Sequence, residues 1–222
     1  MRAIIAVVAI GVMASSAGAQ IPGAPVLQNA WATSGIVGAV NYGGSSGQNV
    51  IAGAASWSPG SARFQISGGA GYETQTDFDG RAVYGARVAM PFGGKSSSFG
   101  FAAFAGIGGG AARKTKSSAT NPSTSDTIAS TTQVPLGAAI GYRRAIGSNH
   151  GISIYATPSY VLYSGGLKTN GLFRGAIGAD VGITRSIGAT VGVDFGGTRA
   201  KELGGPSTAQ YGVGVSYAFG KR

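Results

Sequence analysis

His150 is the only imidazole in this 222-residue chain, and it sits in "GSNHG", a turn-forming cluster between two alternating apolar runs. A general base needs a hydrogen-bonded partner that holds it in place. A lone His in a solvated turn has none, so His150 reads as a turn residue and no catalytic residue is assigned. Metal chemistry is as thinly supplied. There is no Cys, and the seven Asp and Glu are scattered, so a closed nitrogen and sulfur site cannot be assembled. "DFDG" (77–80), with Glu73 nearby, offers the carboxylates that calcium takes, but the other ligands of a calcium loop are missing. These acids read as solvated loop residues. "GIGGGA" (106–111) has the glycines of a phosphate cradle without the helix or Lys that would complete one. It reads as strand Gly where neighbouring side chains approach closely. "NPST" carries Pro at the middle position of Asn-x-Ser, which removes it as a glycosylation acceptor. The sequence implies no metal and no cofactor.

The remaining charges can be placed only through the elements that carry them. From residue 34 onward large apolar residues recur at every second position, the period of a strand. Ten such runs are separated by turn-forming clusters: 36–42, 50–57, 63–72, 81–92, 99–111, 134–143, 152–163, 171–183, 187–195 and the C-terminal run through 211–219. In the last, Tyr211, Val213, Val215, Tyr217 and Phe219 alternate with Gly212, Gly214, Ser216 and Ala218. A soluble strand would carry charge on its second face; this one carries almost nothing. The runs, most of them about 8–13 residues, match the roughly 9–11 that a tilted strand needs to cross a bilayer. By parity Arg63, Arg87, Arg143, Arg174, Asp180 and Asp194 point to the small-residue face. The reading is an interior network of Arg and Asp, because buried charge must be paired or solvated.

Connections alternate in length. "SPGS", "GGKSS", "GSNH" and "TRS" are short, whereas "ETQTDFD", "RKTKSSATNPSTSDT", "SGGLKTN" and "GGTRAKELGGPST" are longer. With ten strands every short link falls on the side of both termini, the arrangement of periplasmic turns and outer loops. Aromatic residues gather at strand ends: Trp57, Phe64, Phe92, Phe99, Tyr142 and Phe219 at one level, Tyr42, Tyr72, Tyr163, Phe173, Phe195 and Tyr211 at the other. Two such girdles are expected where rings sit at headgroup depth. The predicted fold class is therefore all-β: a single antiparallel up-and-down transmembrane β-barrel of about ten strands. Eight is the alternative, because Pro135 and Pro158 fall inside proposed strands and cannot donate to a ladder. Pro135 reads as the start of its strand; Pro158 calls for a bulge or a break.

Over roughly 34–219 this pattern resembles the small outer-membrane β-barrel superfamily of diderm bacteria, including OmpA-type membrane domains and opacity-type surface proteins. That superfamily includes adhesins, structural anchors, narrow channels and a few enzymes, and the resemblance does not choose among them. With no catalytic constellation the expected role is structural or surface-interaction; the alternative is a narrow diffusion channel or small-solute transporter, anion-leaning because the interior Arg outnumber the Asp. The resemblance also implies that the final strand is read by the barrel assembly machinery, although Gly220, Lys221 and Arg222 follow Phe219 where the family usually stops on the aromatic. Enzymes of this architecture place His with acids or Ser near the outer rim or membrane; His150 falls on the opposite side. No enzymatic activity is expected.

The first residues fit export. Arg2, the apolar run 3–14 and the small residues Ala17 and Ala19 before Gln20 have the order of a secretory signal peptide. The expected division is a signal peptide over 1–19, a periplasmic lead-in over 20–33 and the barrel over 34–222. Export accords with the absence of Cys only if stability comes from packing and backbone hydrogen bonds. Gly numbers 41, charged residues make up 11% and the formal charge is +10. That excludes a disordered chain and a charged soluble domain. A basic exported barrel does not meet nucleic acid. Its predicted partners are the lipid bilayer of the outer membrane and anionic outer-leaflet lipid, the latter through Arg113, Lys114, Lys116, Lys168, Arg199 and Lys201 on outer loops.

Overall fold

Alternation of large and small side chains sets the architecture. A computed structural model describes residues 30–45, 47–61, 63–92, 97–116, 127–146, 150–164, 170–196 and 209–219. Residues 1–29, which include the expected signal peptide and most of the lead-in, lie outside the described residues. The strands are β1 (Gly35–Ser45), β2 (Gln48–Ser58), β3 (Gln65–Gln75), β4 (Phe78–Phe92), β5 (Phe99–Gly110), β6 (Arg113–Lys114), β7 (Thr127–Ile128), β8 (Thr131–Ile146), β9 (His150–Ser164), β10 (Asn170–Gly182), β11 (Ile187–Gly196) and β12 (Ala209–Phe219). Ten of them form one closed antiparallel barrel, while β6 and β7 pair with each other in the longest connection. Closure runs through β1, whose Val40 lies opposite Gly53 of β2 and Val215 of β12. No edge remains to present unpaired N–H or C=O groups to hydrocarbon.

The register fixes the dimensions. Following partners from Arg143 through Ser153, Asp180, Thr190, Gly214, Asn41, Ala52, Gly71, Val83 and Gly110 returns to β8 at Thr131, an offset of 143 − 131 = 12 residues. An even offset maps inward positions onto inward positions around the circuit, so one parity faces the lumen everywhere. With ten strands, that stagger and ordinary strand spacings give a tilt of about 40° and a backbone radius of about 10 Å. Inward side chains the length of Arg, Tyr or Trp can fill such a lumen.

The outer surface is a continuous apolar belt. Val40, Ile51, Ile107, Ile140, Ile177, Val191, Val213 and Val215 are all exposed, while their neighbours Ala39, Ala52, Ala139, Thr190 and Ser216 are buried inside. Water does not tolerate a patch of this extent; lipid requires it. The barrel therefore spans a membrane, with β1 beginning and β12 ending at the same rim.

Neither internal proline ends a strand. Pro158 keeps its pairing with Gly175 of β10. The ladder to β8 lapses only at Ala138 and Ala139, with the same register resuming from Gly137↔Ser159 to Ile140↔Ala156. The missing N–H is thus absorbed as a short gap, and the expected bulge or break, with the eight-stranded count it allowed, is corrected. Pro135 does not begin its strand: β8 starts at Thr131. Its ladder to β5 lapses between Ala105↔Leu136 and Gly108↔Gln133.

Two outer connections are tighter than their sequences suggest. Between Ser45 and Gln48, and between Gln75 and Phe78, only two residues intervene. The second turn uses Asp77 at φ 67°, a left-handed conformation that Asp tolerates.

Candidate functional site: the charged lumen

Charge enters the lumen at three levels. At the outer mouth Glu73 of β3 faces Arg81 of β4 directly across the ladder. Its carboxylate is fully buried and accepts from two guanidiniums: Arg81 Nη2 at 3.1 Å to Oε2 and Arg113 Nη1 at 2.7 Å to Oε1. Arg113 comes from β6, beyond the barrel wall, and its guanidinium covers the ring of Phe78 at 4.5 Å. Backbone bonds hold that segment down: Lys116 N donates to Asp77 O at 2.8 Å and Ala111 N to Ala82 O at 2.9 Å. Burial first, and then the neighbouring Arg81 charge, lower the pKa of Arg113 from the ordinary guanidinium value, while Glu73 opposes both. A second outer pair joins Arg174 of β10 to Asp194 of β11 through Nε at 3.2 Å and Nη2 at 3.0 Å, both to Oδ1.

In the middle, Arg87 lies with its guanidinium 4.2 Å above the ring of Phe104. At the inner rim Arg143 donates from Nε to the Ser97 carbonyl at 3.1 Å and stacks over Trp31 at 4.7 Å. Trp31 precedes β1 and folds back into the barrel mouth. Its ring occupies the space left by Gly100 and Gly141, register partners on β5 and β8, and Ala30 packs against Ala102 and Ala139. Asp180 on β10 lies opposite both Ser153 and Thr190, which donate to it from the flanking strands.

Measured against the expected network, Arg87, Arg143, Arg174, Asp180 and Asp194 line the lumen, but Arg63 does not. It is exposed in the turn before β3, because the strand begins two residues later at Gln65. Arg113, expected on a solvated outer loop, is buried on Glu73, and Glu73 is itself a lumen residue rather than a loop acid. Lys114 and Lys116 are exposed beside Arg113; Lys168, Arg199 and Lys201 lie outside the described residues. Arg81 was missed although it shares the parity of Arg87 on the same strand. Trp31 carried no periodic signal, and the Gly100 and Gly141 it covers are brought together only by the strand register.

Of the expected girdle residues, Tyr42, Trp57, Tyr72, Phe92, Phe99, Tyr142, Phe173, Phe195, Tyr211 and Phe219 project outward. Tyr163 does not. It lies on the inward parity of β9, half-buried, and its hydroxyl interacts with Arg174. Phe64 lies outside any strand, half-buried against the edge of Trp57 at 5.7 Å. Ring pairs at the strand ends include Phe99 with Tyr142 at 5.1 Å and Tyr160 with Phe173 at 5.0 Å. His150 is exposed where β9 begins at the inner rim, and among the described residues no group of three metal-ligating side chains converges.

No protein-family model and no curated protein matches the chain. Among solved structures, a bacterial polysaccharide outer-membrane secretin is similar with a TM-score of 0.49 at 8% identity, over 78% of this chain and 57% of that one. The chain thus spans little more than half the length of that protein. The β-domain of the Bordetella autotransporter Brka gives a TM-score of 0.49 at 10% identity, covering 83% of this chain and 98% of that one. The N-terminal β-barrel domain of Pseudomonas aeruginosa OprF gives 0.41 at 10% identity, covering 90% and 100%. On its own pairing and surface, this chain is an all-β, ten-stranded antiparallel membrane barrel, the architecture of the small outer-membrane β-barrels that its sequence resembles.

Proposed function

We propose that this is a non-enzymatic barrel of the bacterial outer membrane whose lumen is closed to ion flow, and whose role is structural or surface-interaction. The observation that carries the reading is the filling of the lumen at three levels: Glu73 with Arg81 and Arg113 at the outer mouth, Arg87 on Phe104 in the middle, and Arg143 on Trp31 at the inner rim. A barrel about 10 Å in backbone radius has little width left once such side chains point inward. Function then falls to the outer connections, where Lys114 and Lys116 are exposed and suited to anionic lipid phosphates.

A second reading, a narrow anion-leaning channel, is favoured by the positive excess inside. The test is single-channel recording of the refolded chain in a planar bilayer. Clean insertion without discrete steps supports the closed barrel. Discrete steps refute it, and steps whose anion selectivity falls in Arg87→Ala establish the channel.

A further inference from the structure

The lumen carries more positive charge than its own carboxylates meet. Among the described residues Arg81, Arg87, Arg143 and Arg174 point inward and Arg113 reaches Glu73 from β6 at the outer mouth, against Glu73, Asp180 and Asp194, an excess of 5 − 3 = 2 positive charges. Glu73 is shared by Arg81 and Arg113, and Asp194 serves Arg174. Arg143 has the Ser97 carbonyl and the Trp31 face. Arg87 differs from all of these. It is 5% exposed, and its Nε and Nη2 have no hydrogen-bond partner. A buried guanidinium with unused donors is costly, by several kcal/mol for an uncompensated ion.

The wall around Arg87 has the form of a receptor for a small anion. On its ladder partners, Ser67 of β3 and then Ser56 of β2 turn buried hydroxyls inward. Beside it Gly85 lies opposite Gly69 and Gly108, and Arg87 itself lies opposite Gly106. These four inward positions carry no side chain, although the buried Pro135 ring packs toward Gly106, where a Cβ would come within 3.2 Å of it. Phe104 closes one face of the charge at 4.2 Å, which leaves the in-plane N–H donors as its remaining route to satisfaction. No carboxylate among the described residues bonds it.

We infer that Arg87, with Ser67 and Ser56, forms a binding site inside the barrel for a small monovalent inorganic anion, chloride being the natural occupant. The site is a set of N–H and O–H donors with one fixed positive charge and little width. That selects for charge −1 and small radius against phosphate or organic acids. It does not depend on whether the barrel conducts, since an occluded anion and a permeating one would meet the same donors.

The test is the heat resistance of the refolded full chain in detergent micelles, read as the midpoint of the folded-to-unfolded band shift. Chloride replaces gluconate at constant ionic strength. An anion that binds only the folded barrel raises the midpoint along a saturating curve. The expected result is such a curve for the wild type and for Arg143→Met, and a flat response for Arg87→Met. A flat wild-type response leaves only water at Arg87 and overturns the proposal. So does a curve that survives in Arg87→Met or disappears in Arg143→Met. Should Arg87→Met fail to refold, crystals of the wild type grown in bromide decide it. An anomalous peak within hydrogen-bond distance of Arg87 Nε or Nη2 supports the site, and no peak there refutes it.

Discussion

Glu73→Gln isolates the most heavily charged point in the structure. The substitution keeps the shape of the side chain and removes its charge. What it leaves is two guanidiniums, Arg81 and Arg113, whose side chains are 5% and 0% exposed and which now repel each other. Breaking a buried ion pair by deleting one partner costs roughly 3–5 kcal/mol, because the other charge stays buried without compensation. Here one carboxylate serves two cations, so the upper half of that range is expected. Urea unfolding in micelles, followed by tryptophan emission, measures it. With a slope of about 2 kcal/mol per molar, the midpoint should fall by about 2 M at unchanged slope. The double variant Glu73→Gln with Arg113→Met removes one stranded cation and should be more stable than Glu73→Gln alone, a coupling of about 0.5–3 kcal/mol. A single variant within about 0.5 kcal/mol of wild type, or a double variant whose losses simply add, would refute the reasoning that these charges form one buried unit.

Two further substitutions separate the faces of the wall and test the inner rim. Val40 sits mid-strand on the lipid face between Gly53 and Val215, so Val40→Arg should destabilise by about 2–4 kcal/mol, measured by the same urea titration; a neutral result would contradict the membrane placement. A Cβ at Gly141 would come within 2.7 Å of the Trp31 ring, so Gly141→Val should expel that ring. In a Trp57→Phe background, emission should shift to the red and become quenchable by acrylamide, and an unshifted spectrum would place Trp31 outside the barrel.

What the sequence made legible, and what it did not, follows from the two-residue period. Parity alone separates Val213, Val215 and Tyr217 from Gly214 and Ser216, because a strand cannot turn one side chain without turning its neighbours. It also placed Arg87 and Asp180 with the small residues. Arg63 and Glu73 were misread for one shared reason. The alternation in the sequence extends back to Arg63, whereas the Ser58 hydroxyl donates to the Phe64 carbonyl at 2.6 Å and the turn closes before the ladder starts at Gln65. Shifting the strand along the chain removes Arg63 from the lumen and brings Glu73 into it. Tyr163 was assigned by its place at a strand end when its parity already pointed inward. Arg113 is a different case. It lies past the last residue of β5 and reaches Glu73 only because the loop folds back across Phe78 and Thr115, a long-range event with no local signature.

The glycines turn out to be the complement of the large interior residues. Trp31 rests on Gly100 and Gly141, Tyr155 lies against its register partner Gly178, Arg81 against Gly110 and Asn41 against Gly214. Each absent side chain is matched to a large or polar group that leans over it, from the adjacent strand or, for Trp31, from the segment before β1. In a barrel this narrow two bulky residues cannot occupy facing positions without overpacking, so an inward Gly marks where something else fills the space. The logic runs in both directions. Pro135 packs toward Gly106, but Gly85, Gly69 and Gly108 lie beside Arg87, and its Nε and Nη2 remain without hydrogen-bond partners. Matching glycines to the groups that fill them elsewhere therefore points at Arg87 to an occupant supplied from solution, and its positive charge favours an anion over water there.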